Sequence, residues 1–189
     1  RFIYALNLSH TYYWRAYWTN GFGTAYGNVF SFATTSNVTI GWSDQGGIVA
    51  YIFQSWDPGY VAGQTHGLIA TPTDQSASAQ WTNNISISGV TATALGAGNN
   101  NTQSIYSTSG SSFIAAALCF NLSSGGYNDW WLPSKDELNK LYLNKIAIGG
   151  FNPNLSYWSS SQNSSPSYIG WHQFFSDGFQ DYSNSSPKA

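Results

Sequence analysis

The chain has 189 residues, of which only 7% are charged and 17% are aromatic, and its formal net charge is −2. An average soluble domain carries about 25% charged residues, so neutral polar side chains must keep this surface soluble, as is typical of secreted proteins. The low charge leaves no basic stripe for nucleic acid, and no apolar stretch approaches the ~20 residues that span a bilayer.

Residues 4–34 show the alternation of a β-hairpin. In TYYWRAYWTN, Tyr13, Arg15 and Tyr17 fall on one face of a strand, and the residues between them fall on the other. The turn signals of TNGFGTAYGN lead to a second alternating run from Val29 to Phe32. An isolated two-stranded hairpin is marginally stable in water, so we expect this one to pack against another element.

The residues of this hairpin also carry a resemblance. From Leu6 to Thr34 the pattern L-x-x-x-x-T-Y-Y-x-R-A-Y-x-T-N-x-x-G-x-A-Y-G-N-x-x-S-F-x-T resembles the last two strands of a fibronectin type III repeat. The earlier strands of such a sandwich are absent. The resemblance implies an incomplete fibronectin-like hairpin over residues 1–35 and a separate domain over residues 36–189.

The remainder of the chain mixes strand, loop and helix signals. GGIVAYIF at residues 46–53 has the length and apolarity of a central strand buried on both faces, and GLIATP at residues 67–72 is a second strand candidate. Residues 74–101 are rich in small polar residues with weak periodicity, which predicts an irregular loop. Two helices are predicted after it, over residues 113–122 and 135–145.

The helix over residues 135–145 has the clearest start signal in the chain. Ser134 and Glu137 form an S-x-x-E capping box. The apolar stripe of this helix consists of Leu138, Leu141 and Tyr142. We predict a strand over residues 130–133 before the helix, and short strands and turns in YWSSSQ, GWHQFFSDGFQ and DYSNSS after it.

Several separated blocks occur in order between about residue 40 and residue 185: GGIVAYI, HGLIATPTDQS, GGYNDWWLPSKDELNKLY, YWSSSQ and W-x-x-x-F-x-x-G. Together they resemble the signature of the Lcl C-terminal-like domain family, named for collagen-like adhesins of bacterial pathogens. The resemblance implies an α+β, C-type lectin-like fold with a small twisted sheet, two helices and long loops. It also implies a closing strand that does not follow SSPKA, so we expect another segment or chain to supply it.

The C-terminal part mixes rings with small polar residues, as adaptable binding surfaces do. Alternation predicts Trp171, Phe175 and Phe179 inside and their neighbours outside. In C-type lectin-like folds the corresponding loops commonly form the ligand face. The candidate ligand-binding residues are Tyr168, His172, Gln173, Asp177, Gln180, Asp181 and Tyr182. The alternative is that these residues are a merely solvated surface.

No catalytic or cofactor motif was found in the sequence. It has no H-E-x-x-H, G-x-S-x-G or G-x-G-x-x-G pattern, and its single cysteine, Cys119, lies in an apolar run that predicts a small buried side chain. Asp177 and Asp181 flank Gly178 closely enough to hold a calcium ion with help from carbonyl groups, but we favour a solvated turn. We therefore predict a protein that is not an enzyme and has no cofactor.

Two functions fit these observations. The first is an extracellular adhesion or recognition module, on a secreted protein, a cell surface or a virion surface, that binds glycans or a protein receptor. The second is a structural subunit of an extracellular filament or virion fibre, in which the same surfaces serve assembly. In either case we expect a homo-oligomer or a part of a larger modular fibre, with no nucleic-acid partner and no membrane span.

Overall fold

The computed structural model describes residues 11–33, 38–110, 112–164 and 168–183 of the chain. The chain divides into two compact units, Arg1–Val38 and Thr39–Ala189. The domain boundary predicted after residue 35 falls outside the described residues and stays a prediction. Across the described residues, four helices and four small antiparallel sheets make a mixed α/β architecture. None of these helices is long and apolar enough to cross a membrane.

The N-terminal unit contains a long hairpin in two halves. Its strands are β1 (Thr11–Trp14), β2 (Tyr17–Asn20), β3 (Gly23–Tyr26) and β4 (Phe30–Ala33), with β1 paired to β4 and β2 paired to β3. The predicted hairpin is therefore confirmed over the described residues, but its second arm begins at Gly23 and not at Val29. The turn comes this early because Asn20 Oδ1 accepts a hydrogen bond from the Phe22 N–H at 2.9 Å.

The C-terminal unit begins with a three-stranded antiparallel sheet in the order β5-β6-β7. Its strands are β5 (Ser43–Asp44), β6 (Gly47–Ile52) and β7 (Gly67–Ala70). None of the β6 residues is exposed, and Val49 and Ala50 are buried. The predicted central strand is thus confirmed. The second predicted strand is also present, although it ends at Ala70, two residues before Pro72.

Four helices follow where two were predicted. They are α1 (Gly98–Ser109), α2 (Ala115–Phe120), α3 (Lys135–Leu143) and α4 (Lys145–Ile148). Helix α1 was missed, and the predicted loop over residues 74–101 runs into it, because GNNNTQSIYSTS has few strong helix formers. Tertiary packing stabilises α1 in place of helix propensity. Ile105 is fully buried, and the buried Thr102 hydroxyl donates to the carbonyls of Gly98 and Leu132.

The capping box of α3 is confirmed. Ser134 Oγ accepts from the Glu137 N–H at 3.3 Å, and Glu137 Oε2 accepts from the Ser134 N–H at 2.8 Å. The predicted stripe faces the interior, since Leu138 is buried and Leu141 and Tyr142 pack against the same core cluster. The predicted strand over residues 130–133 is wrong, because those residues form no ladder with a neighbouring strand.

The last sheet has the order β10-β9-β8 and is antiparallel throughout. Its strands are β8 (Ser156–Gln162), β9 (Gly170–Phe174) and β10 (Gln180–Ser183). All seven residues of β8 are buried, so helices and loops cover both faces of that strand. The small Ser side chains in its centre let those elements approach closely.

Among the described residues of the C-terminal unit, the buried side chains form three clusters, and Leu141 and Phe151 pack against both the second and the third. Trp81, Ile105 and Trp158 belong to the first, Ala50, Leu68 and Ile148 to the second, and Leu138, Tyr157 and Phe175 to the third. Most domains have one continuous core, so the boundaries between these clusters are places where the packing is interrupted.

Candidate functional site

The hairpin of β9 and β10 brings the C-terminal candidate residues together. Trp171 lies opposite Tyr182, and Gln173 lies opposite Gln180. Because side chains alternate along a strand and cross-strand partners share a face, these four residues lie on one face of the sheet. Helix α3 packs on this side.

A network of amide groups joins this face of the sheet to α3. Gln173 is 1% exposed, and its Nε2 donates to Asn139 Oδ1 and to the Gly178 carbonyl, both at 2.9 Å. Gln180 Nε2 donates to the Lys135 carbonyl at 3.2 Å. A buried amide with its hydrogen bonds satisfied fixes its neighbours, so the strand register and the helix position are set together.

Two rings and one ammonium group complete the outer part of this face. The rings of Trp171 and Tyr182 meet edge-on with centroids 5.3 Å apart, and Lys135 Nζ lies 3.5 Å from the centroid of the Trp171 ring. Tyr182 is 47% exposed, and Trp171 is half-buried. We call Lys135, Trp171, Gln180 and Tyr182 the C-terminal face. It offers a held aromatic ring beside N–H and O–H donors.

The opposite face of the sheet is covered as well. His172 is 3% exposed and packs edge-on against Trp158 and Phe174, with centroids 5.4 and 5.2 Å apart. The expected outward position is therefore wrong for His172, and it is wrong for Gln173 too. Simple alternation assumes one solvated face, whereas this strand has two buried ones.

The remaining candidates are spread along the hairpin. Tyr168, 38% exposed, precedes β9, whereas the exposed Asp177 lies in the turn at the other end. Asp177 Oδ1 accepts from the Phe179 N–H at 2.9 Å, and the half-buried Asp181 accepts from the Tyr182 N–H at 2.8 Å. The first bond stabilises the turn between β9 and β10, and the second lies within β10. Among the described residues, no group of three or more His, Cys, Asp or Glu side chains could hold a metal ion.

Phe175 and Phe179 were both predicted to point into the interior, and the structure confirms this for Phe175 only. Phe175 is fully buried, as expected, but Phe179 is 61% exposed and lies beside Phe174, with centroids 6.4 Å apart. Phe179 is exposed because it follows the turn at Gly178, whose φ of 84° takes the chain out of the strand pattern.

Lys135 was not among the predicted site residues. Its place over Trp171 depends on how α3 packs on β9, two elements far apart in the chain. A positive charge in the first turn of a helix is disfavoured by the helix dipole. The position of Lys135 is therefore the one local sign in the sequence that another contact holds its side chain.

Glu137 has a structural position and not a catalytic one. It is 1% exposed, and its carboxylate accepts hydrogen bonds from the Gly96 N–H at 2.7 Å, the Ser134 N–H at 2.8 Å and Trp131 Nε1 at 3.1 Å. The bond from Gly96 joins a distant loop to the start of α3, and the bonds from Ser134 and Trp131 hold the residues that lead into the helix. The carboxylate is thus used to hold the fold together.

Cys119 packs against the first core cluster. Burial raises the pKa of its thiol to about 12. The thiolate is the reactive form of cysteine, so the environment of Cys119 disfavours nucleophilic chemistry.

No family model, no curated protein and no solved structure matches the chain at a significant level. The resemblances to the Lcl C-terminal-like family and to a fibronectin type III hairpin stay predictions carried by the motifs. The structure establishes the mixed α/β architecture and the geometry of the C-terminal face.

Proposed function

We propose that the protein is an extracellular recognition module that binds a glycan through the C-terminal face. The observation that carries this proposal is the exposed ring of Tyr182, which is held edge-on by Trp171 and is accompanied by the ammonium group of Lys135. A ring already held in position loses little conformational freedom on binding, which favours affinity.

A sugar suits this surface chemically. The C–H side of a pyranose ring is apolar and stacks on an aromatic ring, and its hydroxyl groups accept hydrogen bonds from an ammonium group. Tyr182 offers the ring, and Lys135 offers N–H donors within the same patch. The low charge of the chain supports a neutral ligand over a strongly charged one.

The finer assignments belong to this proposal. A C-type lectin-like fold for the C-terminal unit and a fibronectin type III origin for the hairpin are compatible with the small sheets and helices. On this view the protein does not act as an enzyme. Its place would be a secreted, cell-surface or virion-surface protein, where a surface of neutral polar residues is common.

The test is binding of the full chain to an array of neutral and acidic oligosaccharides, compared with Tyr182→Ala. Loss of an aromatic anchor typically costs 2 kcal/mol or more, so we expect about a 30-fold or larger loss of affinity. Phe179→Ala is the matched control, because Phe179 is an exposed ring beside Phe174 on the opposite side of the same sheet.

The two variants must first give the same thermal unfolding curve as the unmodified chain. Equal loss of affinity in both variants, or no loss in Tyr182→Ala, would contradict the assignment of the face. Binding to a protein receptor with no binding to any oligosaccharide would contradict the glycan.

A second function is favoured by the N-terminal hairpin. Large side chains on this hairpin are exposed in the structure, among them Tyr13 at 72%, Tyr17 at 72% and Trp18 at 65%. Large apolar side chains exposed together on one element typically mark protein interfaces. We propose, as the alternative, that the chain is a structural subunit of an extracellular fibre and that the hairpin takes part in assembly.

Sedimentation of the full chain separates the two functions. Assembly through the hairpin predicts oligomers that Tyr17→Ser with Trp18→Ser dissociates, while Tyr182→Ala leaves them intact. A chain that stays monomeric at high concentration would contradict the assembly function and leave the recognition function standing.

A further inference from the structure

A cleft of about 270 Å³ lies within the C-terminal unit. It runs between β7 with the segment that follows it, the end of α2, and residues 127–133 that lead into α3. Its volume is just below the ~300–1,000 Å³ of typical small-molecule sites. None of the candidate residues predicted from the sequence lines it.

The cleft is a gap between core clusters. Leu68 of the second cluster, Tyr157 of the third and Trp158 of the first all line it. Protein interiors are packed about as densely as organic crystals and leave few voids of this size. A gap where three clusters meet is therefore a place for an occupant.

Aromatic rings form much of the wall. The ring-bearing residues that line the cleft are Tyr127, Trp130, Trp131, Phe151, Tyr157 and Trp158. The face of an aromatic ring carries partial negative charge and attracts a cation, most strongly when that cation has been removed from water. The wall thus favours a positively charged group with an apolar outline.

The charged groups of the wall all have the same sign. Asp74, Asp129 and Glu137 line the cleft, and none of its lining residues is Lys, Arg or His. Glu137 is balanced only by N–H groups of Gly96, Ser134 and Trp131, none of which carries a full charge.

The three lysines that the structure describes in this unit lie over other rings. Lys135 lies over Trp171, Lys140 lies over Tyr51, and Lys145 lies over Tyr142, with nitrogen-to-centroid distances of 3.5, 4.5 and 4.2 Å. The cleft therefore carries negative charge that these side chains do not offset.

One carboxylate, that of the exposed residue Asp74, lies at the rim of the cleft and is held there by a hydrogen bond. Asp74 Oδ2 accepts from the Tyr157 hydroxyl at 3.1 Å, and that hydroxyl accepts from the Asn152 N–H at 2.8 Å. Burial raises the pKa of Asp74, and burial also raises the pKa of Tyr157 to about 12. A cation in the cleft would offset the cost of keeping Asp74 ionised there.

We propose that this cleft binds an alkylammonium group, such as the trimethylammonium head of choline, against its tryptophan and tyrosine rings and the carboxylate of Asp74. A quaternary ammonium group has an apolar surface and a positive charge, which matches a wall of rings and carboxylates. This site is distinct from the C-terminal face and does not depend on the glycan proposal.

Isothermal titration of the full chain with choline tests the site, with 3,3-dimethylbutan-1-ol as the neutral compound of nearly the same shape. We expect choline to bind at least about tenfold more tightly, since only choline gains from the rings and the carboxylates. Asp74→Asn keeps an oxygen for the Tyr157 hydroxyl and should remove most of that preference. Asp177→Asn, which changes an exposed carboxylate in the β9–β10 turn, should leave the preference unchanged.

Equal affinity for choline and the neutral alcohol would overturn the proposal, because the cleft would then be only an apolar cavity. No binding of choline, or full binding by Asp74→Asn, would overturn it as well. If Asp74→Asn unfolds, Trp130→Leu gives a second test, since it removes one ring of the wall at similar apolarity. Tyr182→Ala should keep its choline affinity, which separates this test from that of the C-terminal face.

Discussion

The hairpin of the N-terminal unit and the β8–β10 sheet of the C-terminal unit are built from similar aromatic strands but have opposite environments. Trp158 in β8 is 1% exposed and Phe175, directly after β9, is fully buried, whereas in the hairpin Trp18 is 65% exposed and Phe22 is fully exposed. The sheet carries α3 on one face and further buried side chains on the other. The contrast shows that an alternating residue pattern predicts a strand, whereas the burial of its side chains depends on which other elements pack on it.

The hairpin holds itself together through pairs of rings across its strands. Trp14 stacks on Phe30 with centroids 5.0 Å apart, and Tyr12 stacks on Phe32 at 5.7 Å. Such pairs are worth about 0.5–1.5 kcal/mol each. Ring pairs of this strength fix which residues of the two strands lie opposite each other, but they do not by themselves make a two-stranded element stable in water.

The largest effect is expected from removing a tryptophan that packs against the β8–β10 sheet, compared with removing one from the hairpin. Trp81 is fully buried and donates from Nε1 to the Ser159 carbonyl at 2.8 Å, so Trp81→Ala should lower the free energy of unfolding by about 3–5 kcal/mol. Trp18→Ala, at an exposed position, should change it by less than about 0.5 kcal/mol. Denaturant unfolding followed by circular dichroism measures both, and equal losses would contradict the contrast.

The next largest effect is expected at Glu137. Glu137→Ala leaves the N–H groups of Gly96, Ser134 and Trp131 without their acceptor. A buried N–H group left unpaired costs about 1–3 kcal/mol, and of these residues Ser134 is buried, Trp131 is half-buried and Gly96 is exposed. We expect a loss of about 3 kcal/mol or more in the same unfolding experiment. Glu137→Gln keeps one acceptor oxygen and should lose less. A variant as stable as the unmodified chain would show that water replaces the carboxylate.

A smaller effect is expected from the helix cap. Ser134→Ala removes the acceptor for the Glu137 N–H, which typically costs about 1 kcal/mol. The matched change in the hairpin is Asn20→Ala, which removes the acceptor for the Phe22 N–H at an exposed turn. We expect the melting curve of the C-terminal unit to shift for the first variant only. An unchanged curve for Ser134→Ala would count against the capping box.

The last expected effect is a pH dependence that appears only in alkaline solution. The folded pKa of Tyr157 is raised to about 12, so the neutral phenol is favoured in the fold. Its contribution is complete below the unfolded value of about 10 and is lost as the pH rises from about 10 towards about 12. Between about pH 9 and about pH 11, the unmodified chain should therefore lose more stability than Tyr157→Phe. Parallel losses in the two proteins would contradict the assigned burial of this hydroxyl.

Local signals in the sequence were the reliable ones. The capping box of Ser134 and Glu137 and the apolar run of β6 each lie within a few neighbouring residues, and both were found where predicted. Helix α1 was missed because its stability comes from Thr102 and Ile105 packing against distant segments. Propensity alone cannot predict that kind of support.

The candidate site shows the same division between features set by local sequence and features set by tertiary packing. Gln180 and Tyr182 were predicted as surface residues, and Tyr182 is exposed and Gln180 half-buried on the C-terminal face. Gln173 was wrongly placed outside, because its partner Asn139 lies on α3 and is brought to it by tertiary packing. Lys135 was missed for the same reason. The cleft could not be predicted either, since it lies where three core clusters meet and their side chains come from distant parts of the chain.

Because Glu137 lies at the start of α3, a hydrogen bond to its carboxylate makes a distant amide sensitive to local opening of the helix start. The Gly96 N–H donates to it at 2.7 Å across a separation of 41 residues, although Gly96 itself belongs to no helix or strand. An amide hydrogen in such a loop ordinarily exchanges with solvent much faster than the amide hydrogens of helices and strands. Here exchange requires the carboxylate to move, so the deuterium uptake of Gly96 should follow the opening of the helix start and not the motion of its own loop.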